Sequence, residues 1–163
     1  MSERSDELMD FEEDTLKDKY LTFHICKEDY GIEIRHVIEI IGIQDITEVP
    51  DTPNYIKGVI NLRGKVIPIM DVRLRFGLES REYDERTCVI VVQLDDTNIG
   101  LVVDTVSEVA TILESSIEPS PKRNSRGGNF IQGMGKIENQ IKILLNVHKL
   151  LYDEEIEMLS ELN

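Results

Sequence analysis

Residues 55–73 read Tyr55-Ile56-Lys57-Gly58-Val59-Ile60-Asn61-Leu62-Arg63-Gly64-Lys65-Val66-Ile67-Pro68-Ile69-Met70-Asp71-Val72-Arg73. Gly58 to Leu62 and Lys65 to Met70 are two β-rich runs. They meet near Arg63-Gly64, and a short glycine-containing link between such runs predicts a hairpin. Asp71 is placed to cap a short helix over Val72 to Phe76, which Gly77 ends.

Outward from this stretch the β pattern continues. Tyr20 to Cys26 reads YLTFHIC, with Leu21, Phe23 and Ile25 on one face and Thr22 and His24 on the other. Lys27-Glu28-Asp29 is a polar turn, and Tyr30 to Ile34 resumes the alternation, so residues 20–34 predict a second hairpin. Val37 to Ile41 is a further β-branched run, and Pro50 and Pro53 punctuate a loop. On the other side, Glu79 to Glu85 is a polar connection. Arg86 to Leu94, Ile99 to Val103, Val106 to Leu113, Phe130 to Ile137 and Gln140 to Leu145 predict strands. Residues 118–129, with Pro119, Pro121, Gly127 and Gly128, read as a long exposed loop. Ile156, Leu159 and Leu162 fall at helical spacing and predict a C-terminal helix.

The strands also repeat. Gly31-Ile32-x-Ile34-x-x-Val37-x-Glu39-Ile40 matches Gly100-Leu101-x-Val103-x-x-Val106-x-Glu108-Val109, 69 positions on. Tyr55-Ile56-Lys57-Gly58 matches Phe130-Ile131-Gln132-Gly133, and Ile69-Met70-Asp71-Val72 matches Leu144-Leu145-Asn146-Val147, both 75 positions on. The order is kept and the offset drifts by only six residues, which implies two similar β lobes, about 20–85 and 86–152, sharing one apolar seam. They differ at the turn: the first lobe has Asn61-Leu62-Arg63-Gly64, the second Lys136-Ile137-Glu138-Asn139. The expected architecture is a mainly β domain over 20–152, between an acidic N-terminal tail, 1–19, and a C-terminal helix and acidic tail, 153–163.

Composition narrows the function. The chain has 163 residues, 18 Lys plus Arg and 32 Asp plus Glu, for a net charge of −14. Such a chain repels a polyanion, which argues against nucleic-acid binding. Residues 1–19 and 153–163 carry most of the excess acid, and the segment between them is nearly balanced. The longest apolar run, Cys88 to Val92, is far short of the ~20 residues that cross a bilayer, and the N-terminus has no secretory pattern. The reading is a cytoplasmic protein with no direct membrane insertion. Cys26 and Cys88 read as reduced core residues. His24, His36 and His148 lack partners at metal-ligand spacing, and no nucleophile elbow, phosphate cradle or dinucleotide fingerprint is present. No metal, cofactor or catalytic constellation is expected, so the chain reads as a non-enzyme.

The run 55–73 resembles the central signature of the CheW family of bacterial chemotaxis coupling proteins. So do Phe23 through Tyr30-Gly31-Ile32 to Val37-x-Glu39-Ile40, Gly100-x-x-Val103-Asp104-x-Val106, and Ile143-Leu144-Leu145-Asn146-Val147-x-Lys149-Leu150-Leu151. The resemblance covers about residues 20–155; Asn146 stands where an aspartate is common. It implies two five-stranded β-barrel lobes around a shared hydrophobic core. It also implies a non-catalytic adaptor between the cytoplasmic tips of chemoreceptors and the regulatory domain of the histidine kinase CheA, in a membrane-associated array. Carried over residue by residue, it assigns receptor contact to Val37, Glu39, Arg63 and Val109. Arg63 leads, because a guanidinium offers planar donors to a partner's carboxylate. Kinase contact falls to exposed apolar residues near Ile46, Val49 and Ile56. Gly58, Gly64 and Gly100 match family glycines and read as turn or close-approach positions.

Alternatives of the same fold are the regulatory domain of a kinase and a hybrid with a receiver domain. The short acidic start at Met1 and the end at Asn163 favour the stand-alone form. A small hydrolase on a β scaffold is the alternative from another class, and would need a paired nucleophile and base in a cleft.

Overall fold

Alternation in the first hairpin sets the frame. Leu21, Phe23 and Ile25 of β1 (Lys19–Ile25) are buried, and β1 pairs antiparallel with β2 (Glu28–Glu33) from Tyr20–Glu33 to Ile25–Glu28. A computed structural model describes residues 15–119 and 130–151. The further elements are β3 (Val37–Gly42), β4 (Ile56–Leu62), β5 (Lys65–Asp71), α1 (Val72–Arg75), β6 (Cys88–Leu94), β7 (Thr97–Val103), β8 (Thr105–Thr111), β9 (Ile117–Glu118), β10 (Ile131–Ile137), β11 (Gln140–Leu145) and α2 (Val147–Leu151).

The strands form a six-stranded sheet, ordered β8-β1-β2-β11-β10-β9, and a five-stranded sheet, ordered β3-β6-β7-β5-β4. The repeat holds in the strand bounds, to the residue for two pairs and within one residue for the rest: 69 positions carry β1 onto β6, and 75 positions carry β4 onto β10. The lobes, however, do not divide the chain near residue 85. The first repeat's opening hairpin, β1-β2, lies in the sheet of β8, β10 and β11. Its β3, β4 and β5 join β6 and β7 of the second repeat. The cause is the pairing along the interior strands. β2 runs parallel to β11 (Gly31 opposite Leu144), and β5 runs parallel to β7 (Ile69 opposite Gly100). Parallel neighbours need a crossover between them, so each hairpin is completed by strands from the other repeat. The hydrogen-bonded sheets are also open six- and five-stranded sheets rather than closed five-stranded barrels.

Close packing at the parallel seams explains two matched glycines. A Cβ on Gly31 would lie 3.0 Å from Leu144 Cδ2, and one on Gly100 would lie 2.7 Å from both Ile69 Cδ1 and Val89 Cγ1. The backbone approaches a buried neighbour there, which only glycine permits without displacement.

Three apolar clusters result. The largest lies between the sheets: Phe23, Ile25 and Ile32 meet Ile90, Val92, Leu101 and Val103, with Val72, Leu150 and Leu151 from the helices. A second, around Ile60, Ile67, Ile69 and Val89, sits on the other side of the five-stranded sheet, and a third, around Tyr20, Ile112 and Leu144, is its counterpart on the six-stranded sheet. Rings bind the first cluster to α1. Phe23, Tyr30, Phe76 and Phe130 follow one another at centroid separations of 5.9, 5.1 and 5.1 Å. Arg75 lies over the Tyr55 and Phe130 rings at 5.1 and 5.0 Å and donates to the Leu150 carbonyl at 3.2 Å, tying α1 to α2.

Asp71 caps α1 by accepting from Leu74 N. Asn146, 75 positions later, accepts from Lys149 N at 3.0 Å and caps α2, a helix not expected from periodicity because it is only five residues long. The expected C-terminal helix over 154–162, most of the 118–129 loop and most of the N-terminal tail lie outside the described residues.

Candidate functional site

The β4–β5 connection is a two-residue turn. Arg63 and Gly64 have φ of 50° and 86°, the left-handed pair that a tight hairpin of right-twisted strands requires. Asn61 Oδ1 accepts from Gly64 N at 2.9 Å and fixes the turn. The exposed Arg63 guanidinium is thereby aimed at β3, where its Nη2 donates to Glu39 Oε1. Strands β3 and β4 are the opposite edges of the five-stranded sheet, so this ion pair bridges the sheet's open seam. Beside it, Thr47, downstream of β3, pairs with Val59 of β4. Gly58 makes that approach possible: at φ +145°, its added Cβ would stand 2.1 Å from the Thr47 carbonyl oxygen.

Glu39 sits in an apolar frame. Ile38 and Ile40 adjoin it on β3 and are 47 % and 44 % exposed, and among the described residues β3 pairs only with β6. Period-two alternation places them on the face opposite Val37 and Ile41. Glu39 shares the half-buried phase of Val37 and Ile41, so this edge strand presents the charge pair on one face and two solvent-facing isoleucines on the other. Sequence reasoning missed Ile38 and Ile40. The signal was available, since period-two alternation over Val37 to Ile41 turns Ile38 and Ile40 away from Val37, Glu39 and Ile41.

The other candidate residues are less grouped. Val37 is half-buried and packs against the core between the sheets. Val109 is 52 % exposed, but it lies on β8, the edge of the six-stranded sheet, opposite Leu21, and so on a different sheet from Glu39 and Arg63. Among the residues expected to expose apolar surface to a kinase, Val49 is exposed, and Ile46 is half-buried against the Ile60 cluster. Ile56 is only 8 % exposed: it opens β4 opposite Met70 and belongs to the core between the sheets. Its place on the inward phase of a strand with Gly58 and Ile60 corrects the expectation of an exposed side chain.

A second charge cluster lies behind the signature. Arg73 donates from Nε and Nη2 to Asp104 Oδ1 and Oδ2 at 2.7 and 2.6 Å, and Cys26 N donates to Asp104 Oδ2 at 2.8 Å. Burial raises the Asp104 carboxyl, but the bonds from Arg73 and the Cys26 amide outweigh it and hold the group below its usual range. The same bond raises the Arg73 guanidinium. This fork joins α1 to the corner between β7 and β8 and to the β1–β2 turn. Nearby, Tyr83 donates to Asp71 at 2.7 Å, and its phenol is pushed well up by burial and that bond. Both arrangements hold neighbouring elements in place. Among the described residues no group of three or more His, Cys, Asp or Glu is arranged to hold a metal, and no helix is long and apolar enough to cross a membrane.

With this geometry in hand, comparison with known proteins decides the relationship. The family model described as CheW-like domain matches residues 19–155. The chain belongs to the CheW-like domain family. Its CheW relatives include a chemotaxis protein CheW of Klebsiella aerogenes, 36 % identical over 148 residues, covering 90 % of this chain and 89 % of that one. Another is a chemotaxis protein CheW of Helicobacter pylori, 35 % identical over 133 residues, covering 82 % and 81 %. Among solved structures, the scaffolding protein TtCheW of Thermoanaerobacter tengcongensis superposes with a TM-score of 0.79 at 37 % identity, covering 87 % of this chain and 97 % of its own. CheW membership places the chain among non-catalytic chemotaxis adaptors.

Proposed function

We propose that this chain couples the cytoplasmic tips of chemoreceptors to the regulatory domain of the histidine kinase CheA, from the cytoplasm and within a membrane-associated array. The observation that supports the reading is the Arg63–Glu39 pair at a sheet edge whose opposite face exposes Ile38 and Ile40. Exposed apolar side chains beside a directed charge match the anatomy of a protein interface, in which apolar contact drives association and charge sets register. A helical receptor hairpin would lay its apolar stripe on the isoleucines of this edge strand, and the exposed Arg63 at the neighbouring turn would offer its guanidinium to the hairpin's charges. Val109 would then serve a contact of the six-stranded sheet, and the surface near Val49, with Ile46 beneath it, would face the kinase.

Titrating the full chain with the isolated kinase regulatory domain, and separately with a receptor tip fragment, tests this by amide shift mapping. Saturable binding of both, with shifts around residues 38–40 and 63 for the receptor fragment, is expected. A folded chain that binds neither partner overturns the coupling role.

A further inference from the structure

The two sheets meet through an apolar core, and apolar contact has no preferred direction. Directional contacts across it come from α1 and the residue that ends it. α1 follows β5 of the five-stranded sheet, yet its side chains reach the six-stranded one. Arg73 holds Asp104, where the chain passes from β7 of one sheet to β8 of the other, and Asp104 also accepts from the Cys26 amide just past β1. Phe76 lies against Tyr30 of β2 and Phe130, the residue before β10, both at 5.1 Å.

Arg75 stands where the two repeats come together. Tyr55 and Phe130 occupy matching positions, and both are buried. The Arg75 guanidinium carbon lies 5.1 and 5.0 Å from their ring centroids, so it takes one ring from each repeat. Its Nε donates at 3.2 Å to the carbonyl of Leu150, its own counterpart 75 positions on. The backbone keeps the same symmetry: Asp71 N donates to the Tyr55 carbonyl and Asn146 N to the Phe130 carbonyl, both at 2.7 Å. An arginine therefore sits at the meeting point of two matched segments, where the other repeat has a buried leucine. A second leucine would pack there without the desolvation of a cation, so packing alone does not call for an arginine. What a guanidinium adds is a rigid plane with donors at set angles.

We propose that Arg75 is a positioning residue that sets the angle between the two sheets, and so the placement of the surfaces they carry. The inference rests on the coupling role above, in which Arg63 on one sheet and Val109 on the other both serve receptor contact. A change in the angle would leave each surface intact and their separation wrong.

The test is Arg75→Leu in the full chain, which gives this position the residue of its counterpart. Amide residual dipolar couplings, fitted separately for the two sheets, report their relative orientation with no partner present. Each sheet of the variant should still fit its own strands, and the two alignment frames should rotate apart by more than the fitting error, whereas the frames of the unsubstituted chain coincide. Affinity for a receptor tip fragment should fall about tenfold while the melting transition stays cooperative. If Arg75→Leu does not fold, Arg75→Met, with an unbranched stem, takes its place. Coincident frames in the folded variant overturn the inference, whatever the fragment does. Rotated frames with undiminished affinity overturn it as well. An unsubstituted chain that binds no fragment overturns the coupling role instead, and the couplings still decide whether Arg75 sets the angle.

Discussion

Arg63 at the β4–β5 turn reaches Glu39 on β3, and this one contact joins the two edges of the five-stranded sheet. In the second repeat the equivalent positions are Glu138 and Glu108, two acids, so an ion pair of this kind cannot form there. The molecule is thus symmetric in its strands and asymmetric at its tips. A docking surface on one sheet need not exist on the other.

Arg63→Glu sets two carboxylates against each other at an exposed site. Exposed ion pairs contribute little, about 1 kcal/mol at most, so the melting temperature should move by only a few degrees. Receptor control of the kinase should be lost in a reconstituted array. Unfolding of the variant would make Arg63 structural; intact coupling in a folded variant would place the contact elsewhere.

Ile38→Asp and Ile40→Asp should also leave the fold standing, since both side chains already face solvent. Each should weaken binding of a receptor tip fragment by about 1 kcal/mol or more if they form the apolar centre of the contact. Ile56→Asp should instead unfold the chain, because that position is inside the core. Circular dichroism beside a binding assay separates the two behaviours.

The family glycines should rank by what a methyl group would meet. Gly58→Ala drives a Cβ into the Thr47 carbonyl at a φ of +145°, and should be the most damaging. Gly100→Ala crowds Ile69 and Val89, an overpacking that costs about 1–3 kcal/mol. Gly64→Ala meets no atom within 4 Å and bears only the left-handed backbone penalty, about 1–2 kcal/mol. Urea unfolding midpoints would order the three.

Asp104 makes a pH prediction. Its carboxyl is held below the usual range when folded, so the stability it contributes is present above the unfolded value, about 3.9, and is lost as pH falls through the lower folded value. Asp104→Asn should therefore lower stability at neutral pH by about 1–3 kcal/mol, from weakened bonds to Arg73. It should also flatten the acid limb of the stability curve below about pH 4. An acid limb unchanged in slope would remove this group from the linkage.

Asn146→Ala removes the acceptor for Lys149 N and should cost about 1 kcal/mol, whereas Asn146→Asp keeps the cap and should be near neutral. Thermal melts of the two variants decide it.

Much of this fold was legible in the chain. The Arg63-Gly64 turn, the alternation of Leu21, Phe23 and Ile25, and the Asp71 cap are local matters, governed by φ, by a two-residue period and by one side-chain bond. The two offsets of the repeat matched β2, β3, β4 and β5 to β7, β8, β10 and β11, though they gave no sign of β9, and the composite pattern around residues 55–73 named the family. What stayed hidden was partnership across the chain. Val109 and Glu39 match family positions equally well, yet they stand on different sheets. Arg73 and Asp104 both lie in matched segments, and nothing local marks them as a bonded fork. Ile56 and Val49 are both apolar residues beside a proline-bearing loop, but one is core and one is surface.

The amino-acid sequence by itself determined that the protein is a twofold β repeat, acidic at its ends. Only the tertiary structure decided that each sheet is built from both repeats. It also decided that Arg63 closes one sheet onto Glu39, and that Arg75 takes one ring from each repeat. The physical reason is that strand formation depends on neighbours a few residues away. Which strands lie parallel, and what space remains between them, depends on how two buried surfaces fit when the whole chain has folded.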